Sequence, residues 1–322
     1  MAASLILATV ALGAGAAAID SRAKRREAAA EAAYPPTGQV IEVGTTRVHA
    51  HLEGSGADLV LIHGASGNTR DFTFALVGLL KSRYRVIAFD RPGFGWSEDL
   101  GRDGLSPLAQ ADLLRAAAER LGVRRPIILG HSYGGAVAMA WALRDPGGPG
   151  ALVILSGATM PWPGGLGPWY AVTSSRIGGA TVVPMVTAFA PISRAEDTIE
   201  SIFAPAPVPT GYASYVGVGL TLRRSTLRTN ARQVNGLKPY LRAMTQGYPQ
   251  LTLPVELVHG AADSIVPLSV HAEPLARLLP ASRLTVLDQA GHMPHHSHPA
   301  DVVAAIDRAA ARAGLRAAPQ SP

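Results

Sequence analysis

Short apolar runs recur along the chain at 58–62, 85–90, 126–131, 151–156, 254–259 and 283–288, each reaching a glycine within three residues of its end. Runs this short, with little alternation of polar and apolar positions, read as strands buried on both faces. Helical spacing of apolar positions falls between them, near 69–81, 106–121, 134–144, 268–279 and 299–313. Strand and helix in alternation predict an α/β protein with a mostly parallel sheet flanked by helices. Upstream, Val40 to Glu53 alternates with a period of two and turns at Gly44, which predicts a hairpin leading into the sheet. In such a sheet the reactive side chains gather at the carboxyl ends of the strands.

The alternation stops between Ser156-Gly157 and Thr252-Leu253-Pro254, a stretch too long for a bare connection. Its helical segments are punctuated by Pro161-Trp162-Pro163, Trp169-Tyr170 and the Tyr212 to Tyr215 region. This predicts a largely helical cap inserted over residues 158–250, with the core formed by 34–157 and 251–322. Residues 1–33 form a separate apolar segment and linker.

The chemistry begins where the run Ile127-Ile128-Leu129 meets Gly130-His131-Ser132-Tyr133-Gly134-Gly135 and passes into the apolar stretch Ala136 to Leu143. Strand, sharp turn and helix in that order place Ser132 on a strained elbow, which Gly130 and Gly134 permit by allowing close backbone approach. A nucleophilic serine needs a base, a carboxylate to orient the base, and backbone donors for an oxyanion. His292, in Gly291-His292-Met293-Pro294 beyond a strand, is the base candidate. Asp263 follows another strand and is the acid candidate, with Asp90, Asp288 and Glu256 as rivals. Asp288 stands only four residues before His292, an awkward span to bridge, and Asp90 better suits fixing the Arg91-Pro92-Gly93 loop. His63-Gly64 after the first parallel strand supplies a turn whose next amide, that of Ala65, can pair with the amide of Tyr133 as an oxyanion hole.

Taken together, His63-Gly64, Asp90-Arg91-Pro92-Gly93-Phe94-Gly95, Gly130-His131-Ser132-Tyr133-Gly134-Gly135, Asp263 and Gly291-His292 resemble the landmarks of the α/β-hydrolase superfamily from about residue 40 to about residue 313. The resemblance implies the chain order serine, aspartate, histidine and favours Asp263 as the acid. Superfamily members that act through an alkyl-enzyme carry aspartate at the elbow, so Ser132 points instead to acyl transfer. The expected reaction is hydrolysis of a carboxylic ester with an apolar part, and it requires neither cofactor nor metal. Carbon–carbon bond hydrolysis of a diketone-like acid is the alternative within enzymes, and a non-catalytic ligand-binding module the alternative outside them.

Composition changes this picture little. The chain has 322 residues, 48% of them hydrophobic, enough for a sizeable core, and its lack of cysteine excludes disulfides and thiolate metal sites. The cap carries the positive charge, with eight basic residues against three acidic ones, and Arg224, Arg228 and Arg232 share one helical face. No nucleic-acid motif accompanies that charge, so no nucleic acid is expected as a partner. His295, His296 and His298 invite a metal reading, but spacing alone supplies no orienting partner. His63 and His131 are expected to serve packing and loop hydrogen bonding.

Ala2 to Ile19 carries no charge and is followed by Asp20-Ser21-Arg22-Ala23-Lys24-Arg25-Arg26. Membrane association through residues 2–19, with the remaining chain on the cytoplasmic side, is the expectation. Export after signal cleavage and a docking helix are the alternatives.

Overall fold

The computed structural model describes residues 2–315, with side chains from Gly13 onward. Eight strands form one sheet: β1 (Gln39–Val43), β2 (Thr46–Glu53), β3 (Ala57–Ile62), β4 (Tyr84–Phe89), β5 (Ile127–His131), β6 (Ala151–Leu155), β7 (Val255–Gly260) and β8 (Ser282–Leu287). Their order is β1-β2-β4-β3-β5-β6-β7-β8. The β1–β2 hairpin turns at Gly44, whose φ of 59° suits glycine, and β2 joins β4 antiparallel, while the remaining pairs are parallel. This is the α/β-hydrolase fold, with a mostly parallel sheet flanked by helices.

Side-chain alternation along the central strands divides the core. Val60, Ile62, Ile128, Leu152 and Ile154 face α4 (Pro107–Arg120) and α5 (Tyr133–Arg144), after the short helices α2 (Arg70–Thr73) and α3 (Leu76–Leu80) in chain order. Leu59, Leu61, Ile127, Leu129 and Val153 face the opposite way, toward α3 and the last helix of the chain. Ser106 caps α4 by accepting from the amide of Ala109, and Pro107 occupies its first turn. The helix expected over 69–81 is broken instead at Ala75, whose φ of −146° leaves the helical region. The break turns Phe74 toward Tyr212 and Tyr215, with ring centroids 5.3 and 5.5 Å away.

Between β6 and β7 the chain forms α6 (Pro168–Ser174), α7 (Arg176–Phe189), α8 (Ile192–Phe203), α9 (Tyr212–Val216), α10 (Val218–Thr221) and α11 (Arg224–Met244), referred to below as the cap. After β7 come α12 (Ala272–Leu278), α13 (Pro294–Ser297) and α14 (Pro299–Arg312). The helix expected from 268 starts only at Ala272, because Pro267 to His271 close a turn first.

The amino-terminal segment is a single helix, α1 (Ala2–Ala33). No helix among the described residues is long and apolar enough to cross a membrane. The stretch 2–19 falls short because alanine and glycine dominate it and contribute little apolar surface per residue. The second half of α1 is fastened to the cap. Arg224 donates to Glu27 through Nε and Nη2 at 2.9 and 2.6 Å and reaches Asp20 at 2.6 Å; Arg223 pairs with Glu31 at 3.1 Å. From the other side, Arg22 and Arg26 donate to the carbonyls of Ala188 and Ala190, each at 2.8 Å. Two of the cap's arginines are thus paired with α1.

Candidate active site

The elbow follows directly from the local sequence. β5 ends at His131, the chain reverses at Ser132, and α5 begins at Tyr133. Ser132 has φ 54° and ψ −120°, a conformation that non-glycine residues hold only under constraint. The constraint is visible: Ser132 N–H donates to the Leu155 carbonyl at 3.0 Å, while its own carbonyl accepts from Gly135 and Ala158, both at 2.9 Å. A side chain at Gly130 would strike the Gly134 backbone, and one at Gly134 would strike the Ile62 carbonyl.

His292 lies beyond β8, with Nε2 2.9 Å from Ser132 Oγ and Nδ1 2.8 Å from Asp263 Oδ2. A carboxylate only accepts, so Nδ1 carries the proton and the Nε2 lone pair faces the serine hydroxyl. Asp263 is held in turn, its Oδ1 accepting from the amides of Ile265 and Val266 at 2.9 Å each. His259, at the end of β7, donates to the Val266 carbonyl at 2.7 Å and stands 3.4 Å from Asp263 Oδ2. Burial alone would raise the Asp263 carboxyl, but hydrogen bonds from His259 and His292 overcome it and hold the group well below the usual carboxylate range. Ser132, His292 and Asp263 are all buried. Such a chain can take a proton from Oγ onto Nε2 and stabilise the resulting imidazolium.

The turn after β3 passes directly beside the serine: a Cβ on Gly64 would fall 2.9 Å from Ser132 Cβ. On the other side, Tyr133 opens α5, so its N–H has no carbonyl one turn back and lies at the positive end of the helix. The turn that carries Ala65 and the first turn of α5 therefore both adjoin Ser132. Arg91, fully buried, braces the first of these turns, donating to the carbonyls of His63 and Gly64 at 3.0 and 3.1 Å and to Gln110 and Gln233 at 3.0 and 2.7 Å. Its guanidinium lies between the rings of Phe94 and Tyr133, 4.3 Å from each centroid. Burial lowers it to about 10. His63 completes the brace: Nε2 accepts from the Arg91 amide at 2.9 Å, so Nδ1–H donates to the Gly64 carbonyl at 2.8 Å.

The rival acids are engaged elsewhere or distant. Asp90 accepts from Thr69 and Trp96 amides at 2.7 and 2.9 Å and contacts His49 Nδ1 at 2.7 Å, fixing the loop after β4. Glu256 is paired with Arg308 and Arg312 at 3.0 and 2.7 Å, and Asp288 is exposed. Sequence reasoning missed His259, although its place four residues before Asp263 at a strand end was a usable signal. It also missed Asp71, a buried carboxylate beside the His292 loop, which no local pattern marks.

A parallel sheet carrying a serine elbow, with histidine and aspartate on the two loops beyond it, defines a hydrolase of the α/β class. The sequence model of the alpha/beta hydrolase family matches residues 59–306, and the chain belongs to that family. It is 28% identical over 280 residues to a pimeloyl-[acyl-carrier protein] methyl ester esterase of Aliivibrio salmonicida, covering 82% of this chain and 96% of the relative. To a 2-hydroxymuconate semialdehyde hydrolase of a Pseudomonas species it is 29% identical over 272 residues, covering 83% and 91%. Among solved structures, a thermophilic esterase of Thermogutta terrifontis superposes with a TM-score of 0.69 at 23% identity, covering 85% of this chain and 98% of that one.

Proposed function

We propose that the protein is a serine hydrolase that cleaves a carboxylic ester through an acyl-enzyme. The observation that carries this reading is the hydrogen-bonded series Ser132 Oγ, His292 and Asp263, with the serine on a strained turn. Ser132 Oγ attacks the ester carbonyl as His292 Nε2 takes its proton, and Ala65 and Tyr133 N–H receive the developing oxyanion. His292 then protonates the departing alkoxide, and water, deprotonated by the same imidazole, releases the acid. Asp263 holds the imidazole in the productive tautomer. Core residues 34–157 and 251–322 supply this machinery, and the 158–250 cap roofs it.

Carbon–carbon bond hydrolysis is less well served. Recognition of an acidic substrate would call on the cap arginines, and Arg223 and Arg224 are already paired with α1. A pure binding module has no need of the series. The test is fluorophosphonate labelling beside a chain-length panel of p-nitrophenyl esters. Ser132→Ala should abolish labelling and lower ester turnover by about 10³-fold or more while the protein still melts cooperatively. Undiminished turnover would remove the mechanism.

Surface membrane association belongs to the same reading. Six of the eleven large apolar side chains exposed among the described residues fall between Trp169 and Ile192, and Arg22 lies 5.1 Å over the ring of one of them, Phe189. Apolar side chains beside arginine suit an anionic bilayer surface. Co-sedimentation with phosphatidylglycerol vesicles should fall for Ile177→Asp and Phe189→Asp; binding equal to that of the unaltered chain would exclude this face.

A further inference from the structure

A second buried polar cluster adjoins the proposed site and takes no part in the reaction. Asp71 on α2 accepts from Tyr212 Oη of the cap at 2.7 Å and from His296 Nε2 at 2.9 Å, and it contacts His295 Nε2 at 3.1 Å. Among the described residues its ion-pair partners are histidines alone. A buried carboxylate is ordinarily compensated by a cation, and here the candidates are imidazoles that must first acquire a proton.

His131 shows what the cluster lacks. Its Nε2 lies 2.9 Å from the His292 carbonyl oxygen, an atom that only accepts, so Nε2 carries the proton. Burial holds this imidazole well below its ordinary value, so Nδ1 bears a lone pair. That lone pair has no hydrogen-bond partner and stands 3.9 Å from Asp71 Oδ2. Two electron-rich atoms thus face each other across a buried gap. His295 lies alongside, its ring centroid 4.7 Å from that of His131, and its Nδ1 likewise lacks a partner.

We propose that Asp71, His131 and His295 form a binding site for a divalent cation of the zinc class. Their ligand atoms fall within 4.8 Å of one another. Bonds of about 2.0–2.1 Å in a tetrahedral site separate donors by roughly 3.3 Å, a spacing the observed 3.1 and 3.9 Å bracket. Two imidazoles and one carboxylate suit zinc and its neighbours in the first transition row better than magnesium or calcium, which prefer oxygen. The His131 Nε2–H donating to a backbone carbonyl is the outer contact that fixes a ligating imidazole, and Tyr212 does the same for the carboxylate. On cation binding, the proton that His295 Nε2 shares with Asp71 shifts to the other ring nitrogen, Nδ1, and the metal takes its place on a neutral imidazole. The orienting partners that spacing could not supply are therefore present for His131 and Asp71, while His298, the third member of the sequence cluster, stays outside.

The site is independent of the ester reading and is tested apart from it. Tag-free full-length chain, stripped with a chelator, is titrated with zinc alone by calorimetry and, separately, with cobalt(II) by visible absorption. One equivalent should bind with a dissociation constant in the micromolar range or below, raise the melting temperature as zinc is added, and give intense cobalt d–d bands. His131→Gln and His295→Gln should each weaken binding at least tenfold, and His298→Gln should not. Should His131→Gln fail to fold, His295→Gln and the cobalt spectrum of the unaltered chain decide. No saturable binding below 100 µM zinc, or equal binding by His295→Gln, would overturn the proposal.

Discussion

Asp263 is the residue on which the acid assignment turns. It offers one carboxylate oxygen to His292 and the other to two backbone amides, so Asp263→Asn keeps the turn but presents the imidazole with the wrong partner. Turnover should fall by about 10² to 10⁴-fold with the melting curve little changed, and Asp288→Asn should be nearly silent. The reverse ranking in steady-state assays would reassign the acid. Arg91 acts one step further out. Its guanidinium spans two carbonyls of the turn that carries Ala65, a geometry the single ammonium of lysine cannot reproduce. Arg91→Lys should lower kcat by about ten- to a hundredfold, less than the roughly 10² to 10³-fold that losing an oxyanion donor outright produces, with KM nearly unmoved. A variant that loses only thermal stability would show the arginine to be structural. Ser132, His292 and Asp263 were legible in the sequence because each sits where a strand run breaks at glycine. Arg91 was legible only as part of a loop, since nothing in its neighbours reveals Gln233, whose position along the chain is far away.

At the scale of elements, most of the sheet could be read because each strand is a short apolar run bounded by glycine, and the boundaries differ by a residue at most. Pairings across the chain could not be read. Arg224, Arg228 and Arg232 share a face by helical spacing, yet Arg224 spends its charge on Glu27 and Asp20 of α1, two helices distant in sequence that no periodicity links. That pair should be measurable. Glu27→Arg places like charges together and should lower the melting temperature by several degrees, and Arg224→Glu on the same chain should recover part of the loss. If the double variant is no better than the sum of the singles, α1 is held by other contacts. The loop of His292 meets the cap in a second way. A side chain on Gly291 would collide with the Ala204 carbonyl, so Gly291→Ala must move either the end of α8 or the His292 loop. Ester turnover should fall at least tenfold in kcat/KM, while unchanged kinetics would show that the cap yields freely there.

Across the whole molecule, buried histidines set how the protein meets acid. His63, through burial and the nearby charge of Arg91, and His271, through burial and neighbouring His259, are each lowered to about 4 from the ordinary 6.5. Between those two values the unfolded chain takes up protons that the folded chain refuses, so stability falls as pH falls through that window. The buried carboxylates behave in the opposite order. Asp90 and Asp263 are held below 3.8, Asp90 by His49 and the Trp96 amide against the opposing effect of burial, so their contribution is whole above about 4 and is lost only as pH drops further. Acid should therefore act in two stages, histidines first. Denaturant unfolding at pH 7.5 and 5.5 should show a loss of at least about 2 to 3 kcal/mol, the share of these two imidazoles, to which His131 and His295, also lowered by burial, add in the same direction. The decline should steepen again below pH 4. Stability that holds level or rises from pH 7.5 to 5.5 would mean that His63 and His271 accept protons in the folded state, and with that the hydrogen bond from the Arg91 amide to His63 Nε2 would have to be abandoned.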